Sequence, residues 1–386
     1  MVTKVELKRE QYINCITGNT ETFTISDGIL ETRVNSESGE KDIPFVGPGL
    51  IDIQVNGING IDFNVTSVTQ QDIIKATEYL LSQGITTFFP TIVTNSDENI
   101  LQMMRTIHLA CESSPIVQSC VAGIHLEGPF ISPKNGAKGA HAAQYIKAPN
   151  WELFNRFQQA AGGKIKLVTL APEWEGSPEF IEKCVRQGIM VAIGHSLANS
   201  EQISMAVKAG ARLSTHLGNG VPLQLPRHPN IIWDQLATDD LYACIIGDGI
   251  HTPDFFLKVV MKTKGSHTIL VSDATCFAGM PPGEYQNHIG GTIILDNKKK
   301  ISVKGSPGLL AGAAKSLLEN IEYLYFHKLA SLGTVWQLAS TNVAKMLTEN
   351  SRGFSSGKNV DFVMFRIEGE EINVVKVIKN GQVVVE

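Results

Sequence analysis

The stretch GLIDIQVNGINGIDFNVTSVTQQDIIKATEYLLSQGITTFFPTIV, residues 49–93, decides the fold. It opens with an apolar run from Leu50 to Val55. A helical pattern follows from Thr69 to Gln83, with Ile73, Ile74, Ala76, Thr77, Tyr79, Leu80 and Leu81 at mostly helical spacing and Gly84 placed as a C-cap. A second apolar run covers Thr86 to Val93. Strand, helix and strand in that order build a parallel sheet covered by helices. Further runs at Val121–Leu126, Ile165–Leu170, Met190–Ile193, Arg212–Thr215, Tyr242–Ile246 and Thr268–Val271 bring the strands to eight, with helical segments such as Asn199–Lys208 between them. The expected architecture is a (β/α)8 TIM barrel.

Outside that pattern the chain reads differently. Up to Pro48 it has short alternating runs, such as Thr22–Ile25 before Asp27-Gly28, which suggest a small antiparallel sheet. Beyond the eighth strand, Gly283–Lys304 reads as an inserted hairpin turning at Asp296-Asn297, followed by helices over Gly308–His327 and Thr334–Leu347. The tail returns to strands at Asp361–Phe365, Glu371–Ile378 and Gln382–Val385, with a turn at Asn380-Gly381. Both ends are therefore expected to meet in one accessory β-domain, residues 1–48 and 355–386, beside a catalytic barrel of residues 49–354.

Composition narrows the function. A chain of 386 residues, 43% hydrophobic and 18% charged, can bury a large core. Its net charge of −5 gives no basic field for a nucleic acid. The six cysteines show no Cys-x-x-Cys pair, so they suggest buried apolar side chains in a reducing compartment, without thiolate metal sites or a disulfide framework. The first residues lack a signal-peptide core, and no stretch has the apolar length of a membrane helix. A cytoplasmic protein is expected.

In such barrels the chemistry sits at the carboxyl ends of the strands. Strand three ends in His125-Leu126-Glu127-Gly128-Pro129-Phe130, strand five in Gly194-His195-Ser196, strand six in Thr215-His216-Leu217 and strand eight in Ser272-Asp273-Ala274. Singly, each of these polar residues fits a solvated rim or a structural hydrogen bond. Together, two imidazoles and a carboxylate form a three-ligand set for a divalent ion with an open position for water, and Asp273 adds a second carboxylate.

These residues also carry a resemblance. Pro48-Gly49-Leu50-Ile51-Asp52, His125 to Phe130, Gly194-His195-Ser196, Thr215-His216-Leu217 with Asn219, Asp248-Gly249-Ile250-His251, Ser272-Asp273-Ala274 and Gly308-Leu309-Leu310-Ala311-Gly312 resemble the N-acetylglucosamine-6-phosphate deacetylase family of the amidohydrolase superfamily. The match runs in order from about residue 48 to 366. It implies a barrel joined to a small β-sandwich built from both termini, and hydrolysis of the acetamide of N-acetyl-D-glucosamine 6-phosphate. Glu127, His195 and His216 would hold one divalent metal ion. Asp273 would be the general base, and His141 a donor to the oxyanion. Asn219, Gly220, His251 and Arg227 would bind the sugar phosphate, with Arg227 reaching in from the other subunit of a homodimer. Many superfamily members hold a second ion with a His-x-His pair after strand one. Here those places are Gln54 and Asn56, poor substitutes for imidazole, which implies a single ion. A mixed nitrogen and oxygen set fits zinc and is compatible with iron.

The loop after strand six departs from the family. Gly218-Asn219-Gly220-Val221 replaces the usual Phe-Asn-Ala-Met, and Leu223 to Pro226 is also divergent. A rival reading is therefore an amidohydrolase acting on another N-acyl amine or an unphosphorylated acetylated sugar. A rival of another class is a non-catalytic barrel scaffold, which the presence of all four metal-site and base residues opposes.

Overall fold

The computed structural model describes residues 7–26, 29–35, 43–286, 291–304, 306–310, 312–347 and 361–386. Its barrel strands are β1 Leu50–Val55, β2 Ile85–Val93, β3 Ile124–Glu127, β4 Ile165–Leu170, β5 Met190–Ile193, β6 Leu213–Ser214, β7 Tyr242–Ile246 and β8 Thr268–Val271. They pair in sequence order as one eight-stranded sheet, and every pairing is parallel. The two edges meet. Val55 bridges Ala274, and the Asp273 N–H donates to the Gln54 carbonyl at 3.0 Å. Strand β3 begins later than the apolar run suggested, because Pro115–Cys120 is helical and Val121 makes only an isolated bridge to Phe88.

The crossover helices owe their ends to local side chains. Gln70–Ser82 starts at a capping box between Thr69 and Asp72 and buries Ile73, Ala76, Thr77, Leu80 and Leu81. Ser200–Ala209 starts at the Asn199–Gln202 capping box and stops at Gly210, whose φ of +113° few other residues tolerate. Inside the barrel, Ile51, Phe89, Leu167, Leu213 and Ile269 form an apolar layer with Val343, Ala344 and Met346 of helix Thr341–Met346. Burying each large apolar side chain contributes roughly 1.5–3 kcal/mol. Asn342 Nδ2 of that helix donates to the Thr268 carbonyl at the start of β8, at 3.0 Å, so the helix plugs the amino-terminal end and leaves the opposite mouth for chemistry.

Two segments differ from the sequence reading. Ser306–Leu310 is the fourth strand of an inserted sheet that also contains Gly283–Gln286, Thr292–Leu295 and Ile301–Val303, so the expected helix from Gly308 begins only at Leu317. There, Ser316 and Glu319 form a capping box. The expected helix Thr334–Leu347 is two helices, Leu332–Leu338 and Thr341–Met346. They break at Ser340, whose φ of −142° and ψ of −86° are not helical.

Both termini share one seven-stranded sheet, ordered Gln382–Val385, Glu371–Lys379, Phe362–Glu368, Phe45–Pro48, Leu7–Asn14, Thr20–Ser26 and Ile29–Asn35. The chain ends are joined where Phe45–Pro48 pairs antiparallel with Phe362–Glu368 and parallel with Leu7–Asn14. Asn380 and Gly381, both at positive φ, make the tight turn that a two-residue hairpin requires. The sheet is fastened to the barrel by Trp336, whose Nε1–H donates to the Pro48 carbonyl at 2.9 Å and whose ring stacks on Phe365 at 4.5 Å. Buried Lys379 adds a bond to Asp361 at 2.9 Å and one to Thr87 of β2 at 3.3 Å. Among the described residues no helix is long and apolar enough to cross a membrane.

Candidate active site

Three non-glycine residues at the open mouth have positive φ: His195 at +50°, His216 at +28° and Asp273 at +51°. L-residues avoid this region, and such backbone is retained where the surroundings enforce it, most often at functional sites. Each of the three lies just past a strand, β5, β6 or β8. The turn at each strand end directs the side chain over the mouth.

Glu127 ends β3, and its Oε1 lies 3.1 Å from both His195 Nε2 and His216 Nε2, which are 3.0 Å from each other. Zinc bound to such atoms at about 2.0–2.2 Å in tetrahedral geometry would space them about 3.3–3.6 Å apart, so the triangle needs to widen by only a few tenths of an ångström. The donor chemistry also fits. The His195 Nδ1–H donates to the Ala137 carbonyl at 2.8 Å, leaving the Nε2 lone pair for the centre of the triangle. Burial pushes the Glu127 carboxyl upward, but its bonds to the two histidines outweigh this and hold it well below its ordinary value. For His216, burial acts downward, and the bond and charge of Glu127 outweigh it in the opposite sense.

The walls fix this triangle from several sides. Beneath it, His125 Nε2 lies 2.7 Å from Thr169 Oγ1, which lies 2.7 Å from Thr215 Oγ1. Burial lowers the His125 pKa to about 4, so this ring is neutral at pH 7. Glu173 accepts from Ser196 Oγ at 2.6 Å and from the Leu197 N–H at 2.9 Å, pinning the chain just after His195. Gly220, at φ +61°, packs against the same imidazole so closely that a Cβ would lie 2.9 Å from its Nδ1.

Asp273 receives a hydrogen bond from Asn56 Nδ2 on Oδ1 at 2.8 Å. Burial, joined by the charge of Glu127, pushes its pKa up to about 6. His141 reaches in from the loop after β3. Its Nδ1 lies 2.8 Å from Thr94 Oγ1, its ring centre is 4.4 Å from that of His195, and burial lowers its pKa to about 3. Glu127, His141 and His195 also have ligand-type atoms within 4.8 Å of one another. The triangle with His216 is the better donor set, because its three atoms lie 3.0–3.1 Å apart.

These groups line a cavity of about 680 Å³ together with Asn219, Gly220 and His251. His251 is held through Nδ1 by Asp248 Oδ2 at 2.7 Å, while Asp248 Oδ1 accepts the N–H groups of Ile250 and His251. The structure thus brings together every predicted site residue except Arg227. Arg227 is exposed on the loop after β6 and does not line the cavity of its own chain. Of the other histidines, the His267 Nδ1–H donates to the Asp239 carbonyl and the His327 Nδ1–H to that of Tyr323, while His288 lies outside the described residues. Sequence reading missed the roles of Asn56, Thr94, Glu173 and Asp248 as partners. Only Asp248 had a local signal, three residues before His251 in a turn.

An eight-stranded parallel barrel with two histidines and a carboxylate converging beside an acidic residue defines a barrel hydrolase of the metal-dependent kind. A model of the amidohydrolase family matches residues 45–384. An N-acetylglucosamine-6-phosphate deacetylase of Bacillus subtilis is 34% identical over 335 residues, 84% of this chain and 81% of that protein. The crystal structure of an N-acetylglucosamine-6-phosphate deacetylase from Thermotoga maritima matches with a TM-score of 0.82 and 26% identity, covering 99% of this chain and 100% of that one. A Mycobacterium smegmatis mutant deacetylase in complex with N-acetyl-D-glucosamine 6-phosphate has the same fold, with a TM-score of 0.85 at 23% identity over 98% of each chain. The chain belongs to the amidohydrolase family.

Proposed function

We propose that this protein hydrolyses the acetamide of N-acetyl-D-glucosamine 6-phosphate to glucosamine 6-phosphate and acetate. The observation that carries this reading is the triangle of Glu127, His195 and His216 facing one point of the cavity, with Asp273 beside it. Relatives at 34% and 26% identity named for this activity support it. Glu127, His195 and His216 would hold one divalent ion, with zinc favoured by the mixed donors and iron compatible. When bound, that ion would supply Lewis acidity, lowering the pKa of water and polarising the acetamide carbonyl.

The remaining work falls to side chains. Asp273 accepts a proton from the attacking water and passes it to the departing nitrogen. His141 donates from Nε2 to the oxygen that becomes negative, in the tautomer where Thr94 Oγ1–H donates to Nδ1. Asn219, Gly220 and His251 bind the sugar phosphate from the β6 and β7 loops. Arg227, remote from its own cavity, serves the site of the neighbouring subunit in a homodimer, where its planar fork suits phosphate. The division into a barrel of residues 49–354 and an accessory unit of residues 1–48 and 355–386 belongs to the same reading. So does a cytoplasmic setting, which six unpaired cysteines support.

Acetate release from the acetylated sugar with and without its 6-phosphate tests the substrate. A strong preference for the phosphorylated sugar is expected. Equal rates would favour the rival acetylated substrates, a reading supported by the divergent loop 218–230 and the exposed Arg227.

A further inference from the structure

We propose that Asn56 is a substrate-contacting residue: its Nδ2 fixes Asp273, and its Oδ1 accepts the N–H of the scissile acetamide and then of the amine that departs. The inference rests on the deacetylase reading above. Asn56 lies just past β1 and lines the cavity. Its backbone is clamped on both sides, the N–H donating to the Ala274 carbonyl at 2.7 Å and the carbonyl accepting from the Phe63 N–H at 3.0 Å. Asn64 Nδ2 adds a longer bond to that carbonyl, at 3.3 Å.

The orientation of the Asn56 amide follows from its neighbours. It faces Asp273 Oδ1 at 2.8 Å and the Asp273 backbone carbonyl at 3.5 Å, both acceptors, so the nitrogen must be on that side. Its oxygen is then turned away, buried and without a partner. Buried acceptors are nearly always satisfied, and one without a partner on a residue that lines the cavity is suited to a ligand donor. The carboxylates of Glu127 and Asp273, which line the same cavity, cannot fill that role, because ionised carboxylates only accept.

Substrate geometry supplies the donor. A nitrogen placed to take a proton from Asp273 lies beside the amide that holds Asp273, within reach of its free oxygen. As the C–N bond breaks, the nitrogen keeps its original hydrogen on Asn56 Oδ1 and gains a second from Asp273, which received it from water. The hydroxyl of that water ends on the acetyl carbon, and the atoms balance. An ester oxygen at the same place has no hydrogen and would face an acceptor with an acceptor. Asn56 is therefore a determinant of amide over ester.

The test compares two competitive inhibitors, glucosamine 6-phosphate and 2-deoxyglucose 6-phosphate, on the metal-loaded enzyme. Turnover of the acetylated sugar phosphate by the wild type is measured first and secures the reaction, so later failures bear on Asn56 alone. Asn56→Ala should weaken inhibition by the amine about tenfold or more, as loss of a hydrogen bond to a charged donor does, and leave the deoxy sugar within about twofold. Asn56→Asp, which keeps an acceptor oxygen but loses the donor to Asp273, should retain the preference for the amine while kcat stays low. Equal weakening of both inhibitors by Asn56→Ala, no weakening of either, or loss of amine preference in Asn56→Asp would overturn the proposal.

Discussion

Asp273 stands at a positive-φ strand end with one carboxylate oxygen tied to Asn56 and its charge disfavoured by burial and by Glu127. A group so placed serves proton transfer better than it serves stability. Asp273→Asn should lower kcat about 10²–10⁴-fold, the usual range for a lost general acid–base, while elemental analysis finds the metal content unchanged. Asp248 acts one step away, through His251. Asp248→Ala frees the His251 ring at Nδ1 and should raise KM for the phosphorylated sugar more than it lowers kcat, as steady-state kinetics would show. At this scale, the residues that converge at the mouth were legible in sequence because a strand end followed by His, Asp or Glu is a local pattern. Their partners were not. Asn56 and Asp273 are 217 positions apart, and nothing in the periodicity of either segment links them.

The barrel strands could be read from their own composition, since a buried parallel strand is a nearly continuous apolar run between helices. The segment after β8 could not. Ser306–Leu310 and the start at Leu317 are decided by pairing with the inserted sheet and by the Ser316 cap, and the break at Ser340 by backbone dihedrals that no apolar spacing encodes. Helix Leu317–Phe326 also meets the terminal sheet through Glu322, which accepts the Ile372 N–H at 2.7 Å. Burial raises its pKa from about 4.5 to about 7. The unfolded chain gives up this proton near the lower value and the folded chain near the higher one. Glu322 therefore makes stability fall as pH rises through that window, with the loss complete above about 7. Glu322→Gln keeps the acceptor and removes the charge. Thermal unfolding should show the variant and wild type similar at pH 4 and the variant more stable at pH 8; a variant less stable at pH 8 would contradict this.

At the scale of the whole molecule, one closed barrel is plugged at its amino-terminal end by helix Thr341–Met346 and carries a sheet that ties both chain termini together. The cavity is left at the carboxyl-terminal mouth, lined by residues at the strand ends and on the loops after them. Arg227 lies outside that cavity, and under the proposed function it would serve a neighbouring subunit. In light scattering the protein should run as a dimer. Arg227→Ala should raise KM for the phosphorylated sugar about 10–100-fold, the loss of a charge-assisted bond of about 1.5–3 kcal/mol, and leave any turnover of the unphosphorylated sugar unchanged.

The most direct measurement is a titration of chelator-stripped protein with zinc, following acetate release from N-acetylglucosamine 6-phosphate. Release should be absent at the start, rise in proportion to added zinc and level off at one equivalent per chain, with no rise in a Glu127→Ala variant. Full release by the stripped protein, or the same titration curve in the variant, would contradict a cation held by Glu127, His195 and His216.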